Sequence, residues 1–132
     1  MATTKKHKSE LMMWADESIR NSTIFKNGEI ISDSYNGQIA AFSVSVALSG
    51  LKPAIALYYS GKGSSDVDKR KIIELLASMY SKHKGEATNA EALFNKVINA
   101  NANEEASLKR DIIEYGIALK LAVRTFKFKG HE

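Results

Sequence analysis

Apolar residues recur at three- and four-residue steps in four segments of this chain and run together almost without interruption in a fifth. The uninterrupted stretch, residues 36–59 (NGQIAAFSVSVALSGLKPAIALYY), carries a single charge, Lys52. As helix, Asn36 can cap its entry, Gly50 supplies the left-handed residue that ends a turn, and Pro53 falls in a first turn where no N–H is needed. Two helices meeting at residues 49–52 follow. Both are apolar on nearly every side, with Ala40, Ala41, Ala47, Ala54 and Ala56 among larger residues, so the pattern predicts a pair enclosed by its neighbours. A strand competes over residues 42–48, where large and small side chains alternate, and the two runs could then form a hairpin. The apolar character extends over residues 39–51, long for a strand, and the alanines favour helix.

The remaining segments read as amphipathic helices. Over residues 5–25, Leu11, Trp14, Ala15 and Ser18 recur on one face, with Trp14 as a core anchor. Asn27-Gly28 marks a turn, and residues 29–35 form a short helix or an irregular approach to the central pair. After a loop at residues 60–65, Asp66 or Asp68 caps a helix running to His83, with Ile72, Leu75, Leu76 and Met79 inward and Lys69, Arg70 and Lys82 outward. Thr88 and Glu91 have the spacing of a capping box, opening a short helix that buries Leu93, Phe94, Val97 and Ile98. Residues 99–103 form a polar, asparagine-rich connector. The last helix, residues 104–126, presents Leu108, Ile112, Tyr115, Leu119, Ala122 and Phe126 as one core stripe. The expected fold is all-α, a single domain over residues 1–132 of about six helices around the buried apolar pair.

Composition agrees with this reading. A chain of 132 residues, 44% hydrophobic with one proline, can build one compact core but hardly two. The absence of cysteine excludes disulfides and thiolate chemistry. The basic start MATTKKHKSE leads into an amphipathic segment, not an apolar signal core, and the longest uncharged run is too short and too rich in serine to span a bilayer. A soluble, cytoplasmic chain without membrane contact is expected, so the sequon Asn21-Ser22-Thr23 carries no weight.

Local chemistry is sparse. Gly61-Lys62-Gly63-Ser64 resembles part of a phosphate-binding loop, but Ala56 stands where the earlier glycine belongs and Gly63 where Ser or Thr is required. His7, His83 and His131 lack metal-ligand spacing, and no nucleophile elbow, dinucleotide fingerprint or calcium loop is present, so no metal, no cofactor and no catalysis are expected. Charge is the informative signal. The formal net charge is +4, and the last helix places Glu104, Glu105 and Asp111 near its start and bases at its end. A line through Lys109, Ile113, Gly116, Lys120, Arg124 and Lys127 is mostly basic, which serves either the helix dipole or a polyanion. Lys120, Arg124 and Lys127 are the first candidates for contact with such a polyanion, and Lys69 and Arg70 the second. Arginine, lysine and phenylalanine alternate over residues 124–129, but Phe126 belongs to the core stripe and Phe128 to the helix end, so base stacking is not the expected use.

Three phrases carry a family resemblance: Tyr35-Asn36-Gly37-Gln38-Ile39, Ser49-Gly50-Leu51-Lys52-Pro53-Ala54-Ile55-Ala56-Leu57-Tyr58, and Ala118-Leu119-Lys120-Leu121-Ala122-Val123-Arg124-Thr125-Phe126. In order, separation and chain length the sequence resembles the small subunit of type III-B CRISPR effector complexes, the Cmr small-subunit family. The resemblance implies an all-helical, non-catalytic subunit that stacks with copies of itself into an inner filament. Its partners would be the backbone and large subunits of the complex, with guide and target RNA in the groove between. RNA would be held by a basic face without base readout, while nuclease activity belongs to the backbone subunits. The loop at 60–65 and the connector at 99–103 depart from the family in length.

Other classes make different demands. A helical protein–protein interaction module without a nucleic-acid role calls for an exposed apolar groove, for which Tyr58 and Tyr59 are candidates, and no basic stripe. A stand-alone DNA- or RNA-binding domain needs a basic second helix after a tight turn, and the pair around Gly50 offers only Lys52. An enzyme of unrecognised type needs a deep pocket with perturbed ionisable groups.

Overall fold

The computed structural model describes residues 5–22, 24, 30–60 and 69–129. Six helices pack into one all-helical arrangement: α1 (Lys5–Arg20), α2 (Asp33–Ser49), α3 (Leu51–Ser60), α4 (Arg70–Lys84), α5 (Ala90–Ile98) and α6 (Ala102–Val123). Two short strands, β1 (Ile30–Ser32) and β2 (Lys127–Lys129), pair in parallel with Ile30 opposite Lys127 and Ser32 opposite Lys129. Among the described residues no helix is long and apolar enough to cross a membrane. The Lys62 loop, the expected caps Asp66 and Asp68, the Asn27-Gly28 turn, Thr23, Phe25 and His131 lie outside the described residues.

Residues 42–48 are helical, within α2. Gly50 breaks the chain between α2 and α3 at φ 95°, where any side chain would be strained, and its N–H donates to the Val46 carbonyl at 2.9 Å. Lys52, the one charge of the stretch, reaches across to α6: its ammonium donates to the Ala100 carbonyl at 2.9 Å and lies 3.8 Å from Glu105.

The centre of the molecule is α4, which packs against all five other helices. Ile72, Ile73, Leu75, Leu76, Ala77, Met79 and Tyr80 are all buried there. The expected enclosure of α2 and α3 is therefore corrected. On α2, Phe42, Ile39 and Val46 face the core, but Val44 is 56% and Leu48 82% exposed; on α3, Leu57 is 52% exposed. The other helices gather around α4 without covering the far side of α2, so its apolar outer face stays open.

Boundaries differ from the sequence reading where tertiary contacts intervene. Helix α2 starts at Asp33, so Asn36 is in its first turn and does not cap it; the Asn36 Oδ1 is buried without a hydrogen-bond partner among the described residues. Residues 30–32 are strand, not helix. Helix α5 is capped by Asn89, whose Oδ1 accepts from the Ala92 N–H at 2.8 Å, because the Thr88 N–H is taken by Ser81 of α4 at 2.9 Å. The capping box instead opens α6, where Asn101 and Glu104 exchange bonds of 2.8 and 2.9 Å. Trp14 is half-buried, packed on the edge of the core.

The α2–α6 contact depends on Gly116. A Cβ there would stand 2.7 Å from the Ser43 hydroxyl, with no other atom within 4 Å. Alanine gains about 1 kcal/mol of helix propensity over glycine, so the clash decides the sign. Gly116→Ala is expected to stabilise a Ser43→Ala protein by nearly that amount, and the wild-type background by clearly less. Urea melts of the four proteins of this cycle check it; equal increments would show that the Ser43 hydroxyl swings aside without cost.

Candidate nucleic-acid interface

Helix α6 turns Leu108, Ile112, Tyr115, Leu119 and Ala122 into the core. Helical spacing then puts Lys109, Gly116 and Lys120 together on the flank that meets α2. Lys109 and Lys120 are half-buried beside that contact and Arg124, just past the last turn, is exposed. The expected basic line is thus a seam with its middle, Gly116, closed by α2, and not an open face. Lys127 leaves the line altogether. The helix ends at Val123, the Thr125 hydroxyl and N–H both bond the Ala122 carbonyl, at 2.8 and 3.0 Å, and Lys127 enters β2, its side chain outside the described part of the structure.

Among the described residues, no carboxylate lies within ion-pair distance of Lys120 or Arg124. Other lysines are engaged: Lys82 with Glu17 at 3.6 Å, Lys84 with Asp111 at 3.2 Å and Lys96 with Glu86 at 3.7 Å. Asp111, read from sequence as a complement to the helix dipole, is a buried partner of α4. One residue was missed. Arg110, Ile117 and Arg124 are spaced by sevens, so they share a face, and all three are exposed. The same arithmetic applied one position along the helix would have found Arg110.

Beside this cationic edge lies the open face of α2. Gly37, Ala41, Val44 and Leu48 follow one another at steps of four, three and four, and all are exposed. No charged residue follows Asp33 in this helix. Since α2 packs on α6, an uncharged apolar surface and a row of unpaired cations occupy adjacent helices.

Lys69 and Arg70 stand against different neighbours, at the corner of α3, α4 and α5. The Lys69 ammonium lies 5.3 Å from the Tyr58 ring centre, and the Arg70 guanidinium 4.2 Å over Tyr59, while Arg70 Nε donates to the Tyr59 carbonyl at 2.9 Å. Tyr59 stacks on Phe94 with ring centres 4.3 Å apart. Tyr58 is buried against Phe42, and that burial raises its phenol pKa, opposed by a hydrogen bond from Ser45. Tyr58 and Tyr59 therefore do not line an open apolar groove, since Lys69, Arg70 and Phe94 stand against their rings. Phe126 is likewise buried, with the Arg20 guanidinium 5.2 Å from its ring centre, and does not offer a base a free face. Among the described residues, no group of three or more His, Asp or Glu side chains is arranged to hold a metal ion.

No protein-family model, curated protein or solved structure matches the chain.

Proposed function

We propose that this protein is a non-catalytic, RNA-positioning subunit of a ribonucleoprotein, of the kind that its resemblance to the type III-B small subunits implies. The observation that carries this reading is the pairing of two surfaces on α2 and α6. One is apolar and uncharged, suited to contact with a copy of the chain or another subunit; the other is cationic and unpaired, suited to phosphates. The three phrases that carry the resemblance fall on these elements: the start of α2, the α2–α3 joint and the end of α6. Lys120 and Arg124, joined by Lys127 and Arg110, neutralise backbone charge without reading bases. Lys69 and Arg70 are secondary contacts, since each is already held over a tyrosine ring.

Few cations per subunit mean weak binding by a single copy. Affinity then comes from many copies aligned along one strand, through effective concentration. The expected result is that the isolated chain retains no RNA on purification, and that guide RNA co-purifies once backbone subunits are co-expressed. Tight sequence-selective RNA binding by the chain alone would overturn the reading.

The open apolar face of α2 also favours a second reading, a helical protein–protein interaction module with no nucleic-acid role. It predicts assembly through Val44 and Leu48 that is indifferent to the charge of Lys120 and Arg124.

A further inference from the structure

The first half of α1 meets the bundle through a polar aromatic cluster. His83, near the end of α4, has its ring centre 5.6 Å from Trp14, 5.1 Å from His7 and 5.7 Å from Tyr115, the last at 90°. Its Nδ1 is 2.7 Å from the Tyr115 hydroxyl. His7 Nε2 in turn lies 3.4 Å from a Glu114 carboxylate oxygen. The second half of α1 is held differently, by buried Ala15 and Ile19 and by the Ser18–Ser78 hydroxyl pair at 2.7 Å.

The proton inventory of the cluster is restrictive. Tyr115 is fully buried, and burial, reinforced by Asp111, Tyr80 and Glu114, pushes its phenol pKa far upward, so it keeps its proton. Among the described residues the only hydrogen-bond partner of that hydroxyl is His83 Nδ1. The phenol therefore donates, and His83 must offer a lone pair, which requires the neutral ring with its proton on Nε2. Protonation at Nδ1 turns the bond round, so that the phenol oxygen accepts from the ring, and leaves the buried phenol proton without an acceptor.

We propose that His83 is a pH-sensing pin: under mild acid its protonated ring leaves the slot between Trp14 and Tyr115, and the first half of α1 loosens from α4 and α6. The groups facing the ring are His7 and Trp14 from α1, Lys84 on its own helix, and Asp111, Glu114 and Tyr115 from α6. Burial disfavours the imidazolium most, Lys84 and His7 disfavour it further, and Asp111 and Glu114 oppose them; the net direction for His83 is downward. Asp111 is already engaged by Lys84. Because the folded state prefers the neutral ring, the stabilisation is complete above the ordinary imidazole value of about 6.5 and is lost as pH falls through the lowered one. Loosening α1 withdraws Leu11 and Met12 from the groove that they and Lys8 line against Glu114, Ile117, Ala118 and Leu121 of α6. This inference does not depend on the RNA-positioning reading.

Trp14 is the only tryptophan, so its fluorescence reports on the cluster directly. In a titration of the full chain from about pH 8 to about pH 5, Trp14 emission is expected to move to the red with one midpoint below the ordinary histidine value, while far-UV circular dichroism stays helical. His83→Gln, whose amide oxygen can accept from Tyr115, should abolish that step. His7→Gln removes a neighbour that disfavours the His83 imidazolium, so the midpoint should rise by about half to one pH unit. Emission that stays unshifted until the helices melt, or a step that persists in His83→Gln, overturns the proposal. If His83→Gln does not fold, His7→Gln decides alone: a midpoint that stays or falls refutes the pin.

Discussion

Phe42→Ala should cost the isolated chain about 3–5 kcal/mol, whereas Leu48→Ala, six residues further along the same helix, should change stability by less than about 0.5 kcal/mol. Phe42 is 1% exposed and meets the edge of Tyr58 with ring centres 5.0 Å apart; Leu48 is 82% exposed. Truncating the first leaves a cavity between α2 and α3 and removes an aromatic contact. Truncating the second removes atoms that already lie in water. Since domains of this size are stable by about 5–15 kcal/mol, Phe42→Ala approaches the unfolding threshold and Leu48→Ala is silent. Urea denaturation with m-values checks the pair. Comparable losses would mean that α2 is covered on both sides. The silent substitution becomes informative in an assembly: if the open face of α2 meets another subunit, Val44→Lys with Leu48→Lys should block association while leaving the melt of the single chain nearly unchanged.

Charge reversal of Lys120, Arg124 and Lys127 should lower the affinity of the assembled ribonucleoprotein for target RNA by about a hundredfold per subunit-sized segment at about 0.1 M salt. Each phosphate neutralised on a single strand contributes about 0.7 to the slope of log affinity against log salt, so three lost contacts flatten it by about 2. The two quantities belong together. A loss of affinity with the slope intact would mean that the subunit had been displaced, not discharged. Reversal of Lys82 and Lys96, which are paired with Glu17 and Glu86, is the control and should leave both affinity and slope near wild type. Binding of the triple variant with unchanged affinity and slope would remove the end of α6 from the RNA surface and leave Arg110, Lys69 and Arg70 as the remaining cationic options.

The parts of the fold that were legible in advance are those set by short-range physics. The break at Gly50 follows from one left-handed residue, and the core stripe from Leu108 to Ala122 from a repeat of 3.6. The connector expected over residues 99–103 is shorter, because α6 already begins at Ala102; the capping box expected at Thr88 instead opens α6, where Asn101 has Glu104 three residues on, whereas Thr88 loses its N–H to a serine on a different helix. Where the candidate cations stand was legible only in part, for the same reason. Lys120 and Arg124 follow from helical spacing, but Lys127 depends on where the helix stops, and it stops where β2 pairs with β1, nearly a hundred residues away in sequence.

By itself, the sequence determined the helical character of the chain, the position of its central break and the accumulation of cations toward the end of the last helix, because propensity, capping and periodicity act within a few residues. Only the tertiary structure decided which helix lies at the centre, which face of α2 is left open and which cations keep no carboxylate partner. Freedom from charge singled out α2 and α3, but centrality belongs to α4, an amphipathic helix whose charged residues sit near its ends and at the exposed Glu74 while Ile72, Ile73, Leu75, Leu76, Ala77, Met79 and Tyr80 are buried. Burial and ion pairing are properties of what the rest of the chain brings alongside, and no window of one segment contains that information.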